Sequence, residues 1–363
     1  MSVRLALSVA GIAVWLVAAV LAQPPPPAVV LFTLDGARIE EMFFGMDAAI
    51  VRSQLKQGQR LEETEVYKRY WAPTPQARRE KLLPFFWATL MREHGSIAGN
   101  PALRSRVHVT NRHLISYPGY SELLTGRALD DVITSNAPTQ NPNRTVLEFL
   151  QSSQRLSKEQ VAAFASWPVL RAIVEHRAGT LTVNTGAERF ESPDPGVRRD
   201  SELQFATPTK WGDIRFDAYT ARFAMDHLAR HRPRVLLVAL DETDSWAHDS
   251  RYDRLLDAYV RSDRILQELW LWLQSQPDYR GRTSLLITTD HGRGRTRADW
   301  INHHEHVAGA AETWMAFVSP GWSRRGEWRQ HEPITASQVP ATLITWMGGD
   351  WKQFSGAAAP VKP

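Results

Sequence analysis

The chain has 363 residues, of which 43% are hydrophobic and 23% are charged, a balance that is ordinary for a globular protein with a sizeable core. The formal net charge of +4 is mildly basic, but no block of Lys and Arg with interleaved aromatic residues indicates a nucleic-acid-binding protein. The absence of cysteine excludes a disulfide framework and a lipoprotein anchor.

The N-terminal segment has the pattern of an export signal. Arg4 precedes an almost wholly apolar run over residues 5–21, which ends in a small residue, Ala22, shortly before a helix-breaking run of four prolines. The apolar run is close to the ~20 residues that span a bilayer, so an uncleaved signal anchor is the alternative. The pattern favours a cleaved signal peptide over residues 1–22, a mature chain over residues 23–363 without a stable membrane span, and a periplasmic or secreted location.

Strand-like and helical segments alternate along the mature chain. Apolar runs predict strands over residues 28–34, 107–110, 235–240, 284–289 and 314–318. Helical patterns cover residues 54–70, 77–90, 145–151, 217–231 and 251–276, with Asn143 as the expected cap of the third helix. This alternation predicts an α/β fold with a largely parallel central sheet and helices on both faces.

Three segments depart from this simple alternation. Residues 37–106 are long and rich in charged helical stretches, and we expect them to form an insertion. Residues 193–209 are polar and rich in turn residues, which predicts a surface loop or a small excursion and not a domain linker. A third polar segment carries Arg293, Arg295 and Arg297, and we expect it to be solvated.

Three of the predicted strands are followed by a carboxylate. Asp35 follows the first, Asp244 with His248 follows the second, and Asp290 with His291 follows the third. Open α/β sheets bind their ligands at the edge where the parallel strands end, so we expect these side chains to meet there. Mixed Asp and His ligands suit zinc or a similar divalent ion better than calcium or magnesium. The sequence therefore predicts a metal site at this edge.

Ser116 begins the run SYPGYSELLTGR over residues 116–127. A serine before a proline turn, followed by an apolar run that can open a helix, places its hydroxyl near a helix N-terminus, which attracts anions. A metal bound beside it would lower the pKa of the hydroxyl and activate it as a nucleophile without a histidine base. Taken alone, Ser116 is an ordinary turn serine; the three strands that end in carboxylates favour the nucleophile.

The order of these elements resembles the alkaline phosphatase superfamily. The elements are Asp35-Gly, Ser116 in its run, Asp244-x-x-x-His248, Asp290-His291-Gly and a downstream histidine, within residues 28–320. Their spacing is most similar to the nucleotide pyrophosphatase/phosphodiesterase branch and related bacterial phosphatases. The resemblance implies an alkaline-phosphatase-like fold and two divalent ions, Zn²⁺ by preference, that clamp a phosphoryl group during in-line displacement.

The resemblance also implies two metal sites with three ligands each. The first has Asp35, Asp290 and His291, with Ser116 facing it as nucleophile. The second has Asp244, His248 and a downstream histidine, for which the sequence offers His303, His304 and His306. We select His303 because its distance to the strand over residues 314–318 best matches the family pattern, and His306 is the competing choice.

Two further residues have alternative interpretations. Asn136 lies twenty residues after Ser116, near the position where the phosphodiesterase branch has an asparagine that donates to a phosphate oxygen; a turn or capping asparagine is the alternative. Asp241 competes with Asp244 as a ligand, but only Asp244 has a histidine four residues later, as the family motif has.

Departures from related families narrow the choice. Leu124-Thr-Gly-Arg127 fits the frame of sulfatases, but Tyr120 stands where they need an arginine, and Asp290-His291 replaces their Asp-Asn or Asp-Gln. Gly119 and Tyr120 also replace the Asn-His that is usual in eukaryote-type phosphodiesterases, which weakens any transfer of nucleotide specificity.

These features predict an exported, metal-dependent hydrolase of a small-molecule phosphoric ester, either a monoester or a diester. The catalytic domain would cover residues 23–363, with the insertion over residues 37–106 as its substrate-facing wall. The alternatives are a sulfatase-like or phosphoglycerate-mutase-like member of the superfamily, or a non-catalytic phosphoester- or glycan-binding protein on this fold. No oligomeric state follows from the sequence.

Overall fold

The computed structural model of the protein describes residues 27–362, so the predicted signal peptide over residues 1–22 lies outside the described residues. Within residues 27–362, no helix combines the length and the apolar character that crossing a bilayer requires. The longest of the described helices, Tyr252–Ser275, carries charged residues along its exposed side.

In the part of the chain that the structure describes, eleven strands form two sheets. In chain order they are β1 (Ala28–Leu34), β2 (Gly95–Ala98), β3 (Val107–His108), β4 (Val161–Ala165), β5 (Thr182–Thr185), β6 (Val235–Leu240), β7 (Thr283–Thr288), β8 (Glu312–Thr313), β9 (Met315–Val318), β10 (Gly326–Glu327) and β11 (Ile334–Thr335). Eight of them make the central sheet in the order β10-β2-β9-β7-β1-β6-β4-β5, and β3 lies between β11 and β8 in a small second sheet. In the central sheet only β9 runs antiparallel to its neighbours, so the prediction of a largely parallel sheet is confirmed.

Helices cover both faces of the central sheet, as predicted. They are α1 (Ile39–Phe44), α2 (Ala48–Ser53), α3 (Glu65–Tyr70), α4 (Pro75–Leu82), α5 (Ser116–Thr125), α6 (Val146–Ser153), α7 (Leu170–Ile173), α8 (Pro195–Ala206), α9 (Asp217–His231), α10 (Glu242–His248), α11 (Tyr252–Ser275) and α12 (Val339–Trp346), together with a π-helix at Phe86–His94.

Alternate residues of β1 show how the two faces are filled. Val30 and Phe32 pack in one core cluster with residues of α9 and α11, whereas Val29 and Leu31 pack in a second cluster with residues of α5, α6 and α12. Complete burial of each such side chain contributes about 1.5–3 kcal/mol. The continuous apolar sequence of β1 therefore reflects a strand buried on both faces.

The starts of two helices, α6 and α8, differ from the predictions. The loop predicted over residues 193–209 is wrong, because Asp194 caps α8 by accepting hydrogen bonds from the N–H groups of Gly196 and Val197, and proline occupies the first helical position. Asn143 does not cap α6; Thr145 does, in a capping box with Glu148.

The segment over residues 37–106 is more than an insertion. Its helices α1 to α4 and the π-helix pack against one another and against α11 in place of the two longer helices predicted there. The same segment contributes β2 to the central sheet, between β9 and β10. Its role as the substrate-facing wall stays a prediction.

Candidate metal centre and active site

The predicted carboxylates follow three neighbouring strands that end at one edge of the sheet. β1 lies between β6 and β7, and all three run parallel. Asp35 follows β1 and its backbone N–H bonds to the carbonyl of Leu240 at the end of β6, 2.9 Å away. Asp290 follows β7, and α10 begins directly after β6. The sheet-edge prediction is therefore matched by the arrangement of the strand ends.

Asp35, Asp290 and His291 form a buried triad. Their potential ligand atoms lie within 4.8 Å of one another. The Nδ1 of His291 is 2.9 Å from the carbonyl of Gly292, to which it donates, so the lone pair of Nε2 faces inward. This Nε2 lies 3.5 Å from Asp290 Oδ2 and 3.6 Å from Asp35 Oδ1.

The electrostatics of this triad favour a bound cation. Burial, followed by repulsion from Asp290, raises the pKa of Asp35 well above its usual value, and burial also raises the pKa of Asp290. Among the described residues, Asp290 Oδ2 is buried without a hydrogen-bond partner. This oxygen, the Nε2 lone pair of His291 and the Asp35 carboxylate could all coordinate one divalent ion. The donor set therefore fits a zinc-like ion.

Ser116 begins α5 directly above the first triad. Its Oγ lies 3.4 Å from Asp35 Oδ1 and 3.3 Å from His291 Nε2. The helix approaches so closely that a Cβ on Gly119 would lie 2.3 Å from the backbone oxygen of Asp290, which explains why glycine is needed there. The predicted helix N-terminus at Ser116 is therefore present, and it faces the metal ligands.

Asn136 also reaches the start of α5. Its Oδ1 accepts a hydrogen bond of 2.9 Å from the backbone N–H of Tyr117. Because the amide oxygen is engaged in this way, the amide NH₂ group is oriented away from Tyr117 and can act as a donor. The structure thus brings Asn136 next to Ser116; its donation to a phosphate oxygen stays a prediction.

Asp244, His248 and His303 form a second triad, with potential ligand atoms again within 4.8 Å of one another. His248 Nε2 lies 3.2 Å from Asp244 Oδ2 and 2.9 Å from His303 Nε2. The Nδ1 of His303 donates to the carbonyl of Leu114 at 2.9 Å, so its Nε2 lone pair also points into the triad. Burial, followed by the charge of His291, lowers the pKa of His303 to about 2, which keeps the imidazole in its neutral, metal-binding form.

The three histidines near position 303 have different environments. His303 is buried, whereas His304 is exposed and stacks on His303 with ring centroids 4.8 Å apart. The side chain of His306 is 89% exposed and lies 3.1 Å from Glu305. Of these histidines, the structure brings His303 to Asp244 and His248. Its role as a metal ligand stays a prediction.

Arg293 is part of the site, although the sequence indicated a solvated loop. Its side chain is 1% exposed, and its guanidinium pairs with Asp244 Oδ1. It also donates to the backbone oxygens of Asp244 and Ile301, at 3.2 and 2.6 Å. Burial opposes ionisation of Asp244, but the charges of Arg293, His248 and His303 and the hydrogen bond from His248 together outweigh burial and hold the pKa of Asp244 well below its usual value. The solvated-loop prediction is wrong for this residue.

Two other residues considered from the sequence lie outside the triads. Asp241 is buried and accepts a hydrogen bond from Ser245, and burial together with the charge of Asp244 raises its pKa. Arg295 pairs with Glu40 and Glu312. Asp241 therefore does not replace Asp244, whose side chain is the one that meets His248.

No protein-family model matches the chain, and no curated protein sequence matches it. Solved structures do match. The wild-type alkaline phosphatase PafA has 11% sequence identity and a TM-score of 0.55, and the match covers 94% of this chain and 99% of that one. The phosphonate monoester hydrolase SpPMH from Silicibacter pomeroyi has 11% identity and a TM-score of 0.52, with coverage of 93% and 78%.

A 2-O glycosaminoglycan sulfatase matches similarly, with 14% identity, a TM-score of 0.52 and coverage of 93% of this chain and 72% of that one. Likeness at such low identity concerns the fold, and the eight-stranded central sheet with helices on both faces is the fold in question. The chain therefore has the fold of the alkaline phosphatase superfamily.

Proposed function

We propose that the protein is an exported, metal-dependent hydrolase of phosphoric esters that uses Ser116 as its nucleophile. The observation that carries this proposal is the position of Ser116 Oγ, at the start of α5 and within 3.4 Å of both Asp35 and His291. A second triad with similar donors lies beside the first, since His291 Nε2 is 3.9 Å from Asp244 Oδ1. A nucleophile facing two adjacent clusters of ligands is suited to two-metal catalysis of phosphoryl transfer.

The ligand sets fit two zinc-like ions. Asp35, Asp290 and His291 would hold one ion, and Asp244, His248 and His303 the other. When bound, such ions lower the pKa of a neighbouring hydroxyl and stabilise negative charge on the transferring phosphoryl group. The imidazoles of His291 and His303 both have inward lone pairs, and imidazole ligands favour zinc over magnesium or calcium.

Ser116, α5 and Asn136 would have separate roles in the reaction. Ser116 would lose its proton and attack phosphorus, and the P–O bond to the leaving group would break, with a proton going to the departing alcohol. A water would then break the bond between phosphorus and Ser116 Oγ, which restores the serine hydroxyl and releases phosphate from a monoester or a phosphate monoester from a diester. The dipole of α5 favours negative charge at its N-terminus, where this chemistry would take place. Asn136, which is held by Tyr117, would donate its amide N–H to a phosphate oxygen and orient the ester.

The sulfatase alternative has less support. Tyr120, at the position where sulfatases need an arginine, is buried, and its hydroxyl lies 3.2 Å from Thr33 Oγ1 within β1. Its side chain is therefore part of the buried core. The sulfatases among the structural neighbours share the fold, and the site residues decide between the two reactions.

The proposal is tested by metal analysis and by assays on three aryl esters. Purified mature protein is expected to contain two zinc-like ions per chain, since it has two triads of ligands. It should hydrolyse a mono- or a bis-aryl phosphate much faster than an aryl sulfate. One calcium ion without a transition metal, together with faster hydrolysis of the sulfate, would overturn the proposal in favour of a sulfatase.

The second triad gives a prediction that separates two histidines. His303→Ala is expected to remove about one metal equivalent per chain, because it deletes a buried donor that faces Asp244 and His248. His306→Ala should keep both ions and show a smaller defect in activity, because its side chain is exposed, contacts Glu305 and belongs to neither triad. Elemental analysis of the two purified variants measures this. Loss of metal in the His306 variant alone would show that the ligand had been assigned three residues too early.

A further inference from the structure

A second cavity opens at the same edge of the central sheet as the metal centre. It has a volume of about 930 Å³, and its lining includes Gly99, which directly follows β2. β2 and β7 are both antiparallel to β9, so they point the same way and end at the same edge. None of the six candidate metal ligands is among the described residues that line this cavity. It is therefore a neighbouring compartment with its own wall.

Basic side chains outnumber acidic ones on that wall. The wall includes two residues that precede β3, Arg104 and Arg106, and one residue of β3, His108. These three alternate along the chain with the buried Ser105 and Val107. Both arginines are exposed, and within residues 27–362 neither forms an ion pair.

A third guanidinium in the cavity is already neutralised. Arg295 lines the cavity but pairs with Glu312, which lies opposite His108 across the β3–β8 pair, and with Glu40. The charges of Arg104 and Arg106 therefore stay uncompensated by the protein. Two free guanidinium groups two residues apart favour a negatively charged occupant.

The floor of the cavity is held in place by hydrogen bonds. The backbone N–H of Gly99 donates to Ser105 Oγ at 2.8 Å, and this hydroxyl lies 2.6 Å from His331 Nε2. His331 Nδ1 donates to the carbonyl of Glu332, so Nε2 is the acceptor of the Ser105 hydroxyl. A Cβ on Gly99 would lie 2.8 Å from the carbonyl oxygen of Thr313, so glycine is needed for this close packing. The arginines thus extend from a fixed backbone.

We infer that this cavity binds an organic molecule through an oxyanion group (phosphate, sulfate, sulfonate or carboxylate) held by Arg104 and Arg106. Guanidinium groups bind such oxygens with paired, charge-assisted hydrogen bonds. The volume of about 930 Å³ is at the upper end of ordinary ligand sites, so it suits an anionic organic molecule better than a free inorganic ion. This inference does not depend on the proposed function.

Calorimetric titration with benzenedisulfonate tests the inference, because this organic dianion binds zinc poorly. The wild-type protein should bind it, and the double variant Arg104→Glu/Arg106→Glu should bind it about 100-fold more weakly, at roughly tenfold for each guanidinium removed. The matched control is Arg52→Glu/Arg199→Glu, which reverses two exposed arginines on α2 and α8 and should leave the affinity unchanged. Absence of binding by the wild-type protein, or equal affinity in all three proteins, would overturn the inference.

Kinetics distinguish the source of the anion. The cavity could hold an anionic group of the substrate that is distant from the phosphate. In that case the Arg104→Glu/Arg106→Glu variant should have a higher KM for an aryl phosphate with a carboxylate on its ring, and an unchanged KM for the same aryl phosphate without the carboxylate. If both KM values stay constant while benzenedisulfonate binding is lost, the cavity takes a separate anion. A wild-type protein that hydrolyses neither ester but binds the disulfonate would contradict the proposed function and support the anion site.

Discussion

Ser116→Ala is expected to lower the turnover of an aryl phosphate by several orders of magnitude, roughly 10³-fold or more, while leaving the metal content at the wild-type value. The large effect follows because the substitution removes the atom that would form the covalent intermediate. The small effect on metal content follows because the Asp35, Asp290 and His291 donors remain in place. Initial rates and elemental analysis on the same protein preparation measure both quantities.

The matched control for this prediction is Ser121→Ala. Ser121 lies in the same helix, α5, is 1% exposed, and has an Oγ without a hydrogen-bond partner among the described residues. It therefore reproduces the loss of a buried hydroxyl from this helix without touching the triads, and turnover should stay near that of the wild type. Unchanged turnover in the Ser116 variant would mean that a water attacks the phosphorus directly and that Ser116 is only a structural residue.

The sequence predicted the clustering of these side chains because the relevant signals are short and local. β1, β6 and β7 are continuous apolar runs, and parallel strands place the residues that follow them at one edge, which brought Asp35, Asp244 and Asp290 together. The i, i+4 spacing places His248 beside Asp244 on α10. Topology therefore places a carboxylate from each strand at one edge, whereas the choice of Asp244 over Asp241 rested on the resemblance to the family motif.

What sequence reasoning missed depends on interactions between distant segments. The segment after His291 contains several arginines, and the local sequence does not distinguish the one whose guanidinium is buried. Arg293 is buried because α10 lies close enough for Asp244 to pair with it. The strand β4 was also missed, because the short, alanine-rich run at Val161–Ala165 has little of the β-branched character that marks a strand. The strand β5 is only four residues long, which is too short for a clear alternating pattern. The cap at Asp194 was a local signal that could have revealed α8.

Arg293→Met is expected to make the stability of the protein depend strongly on bound metal. In the metal-free protein, Arg293 is the buried cation that compensates Asp244, and removing one partner of a buried pair typically costs about 3–5 kcal/mol. With ions bound, they would compensate the same carboxylate, so the loss should be much smaller. Denaturant unfolding of wild type and variant, each with added zinc and with a chelator, gives the difference between the two conditions.

Arg38→Met is the control that isolates this effect. Arg38 is also 1% exposed and pairs with a buried carboxylate, Glu41, which in turn accepts a hydrogen bond from Tyr252 and belongs to neither triad. Its loss should lower the free energy of unfolding by a similar amount with and without metal. Equal losses for Arg293→Met under the two conditions would show that Arg293 only joins α10 to the loop at Ile301. A loss confined to the chelated protein would identify it as the residue that keeps the second triad charged and assembled until an ion binds.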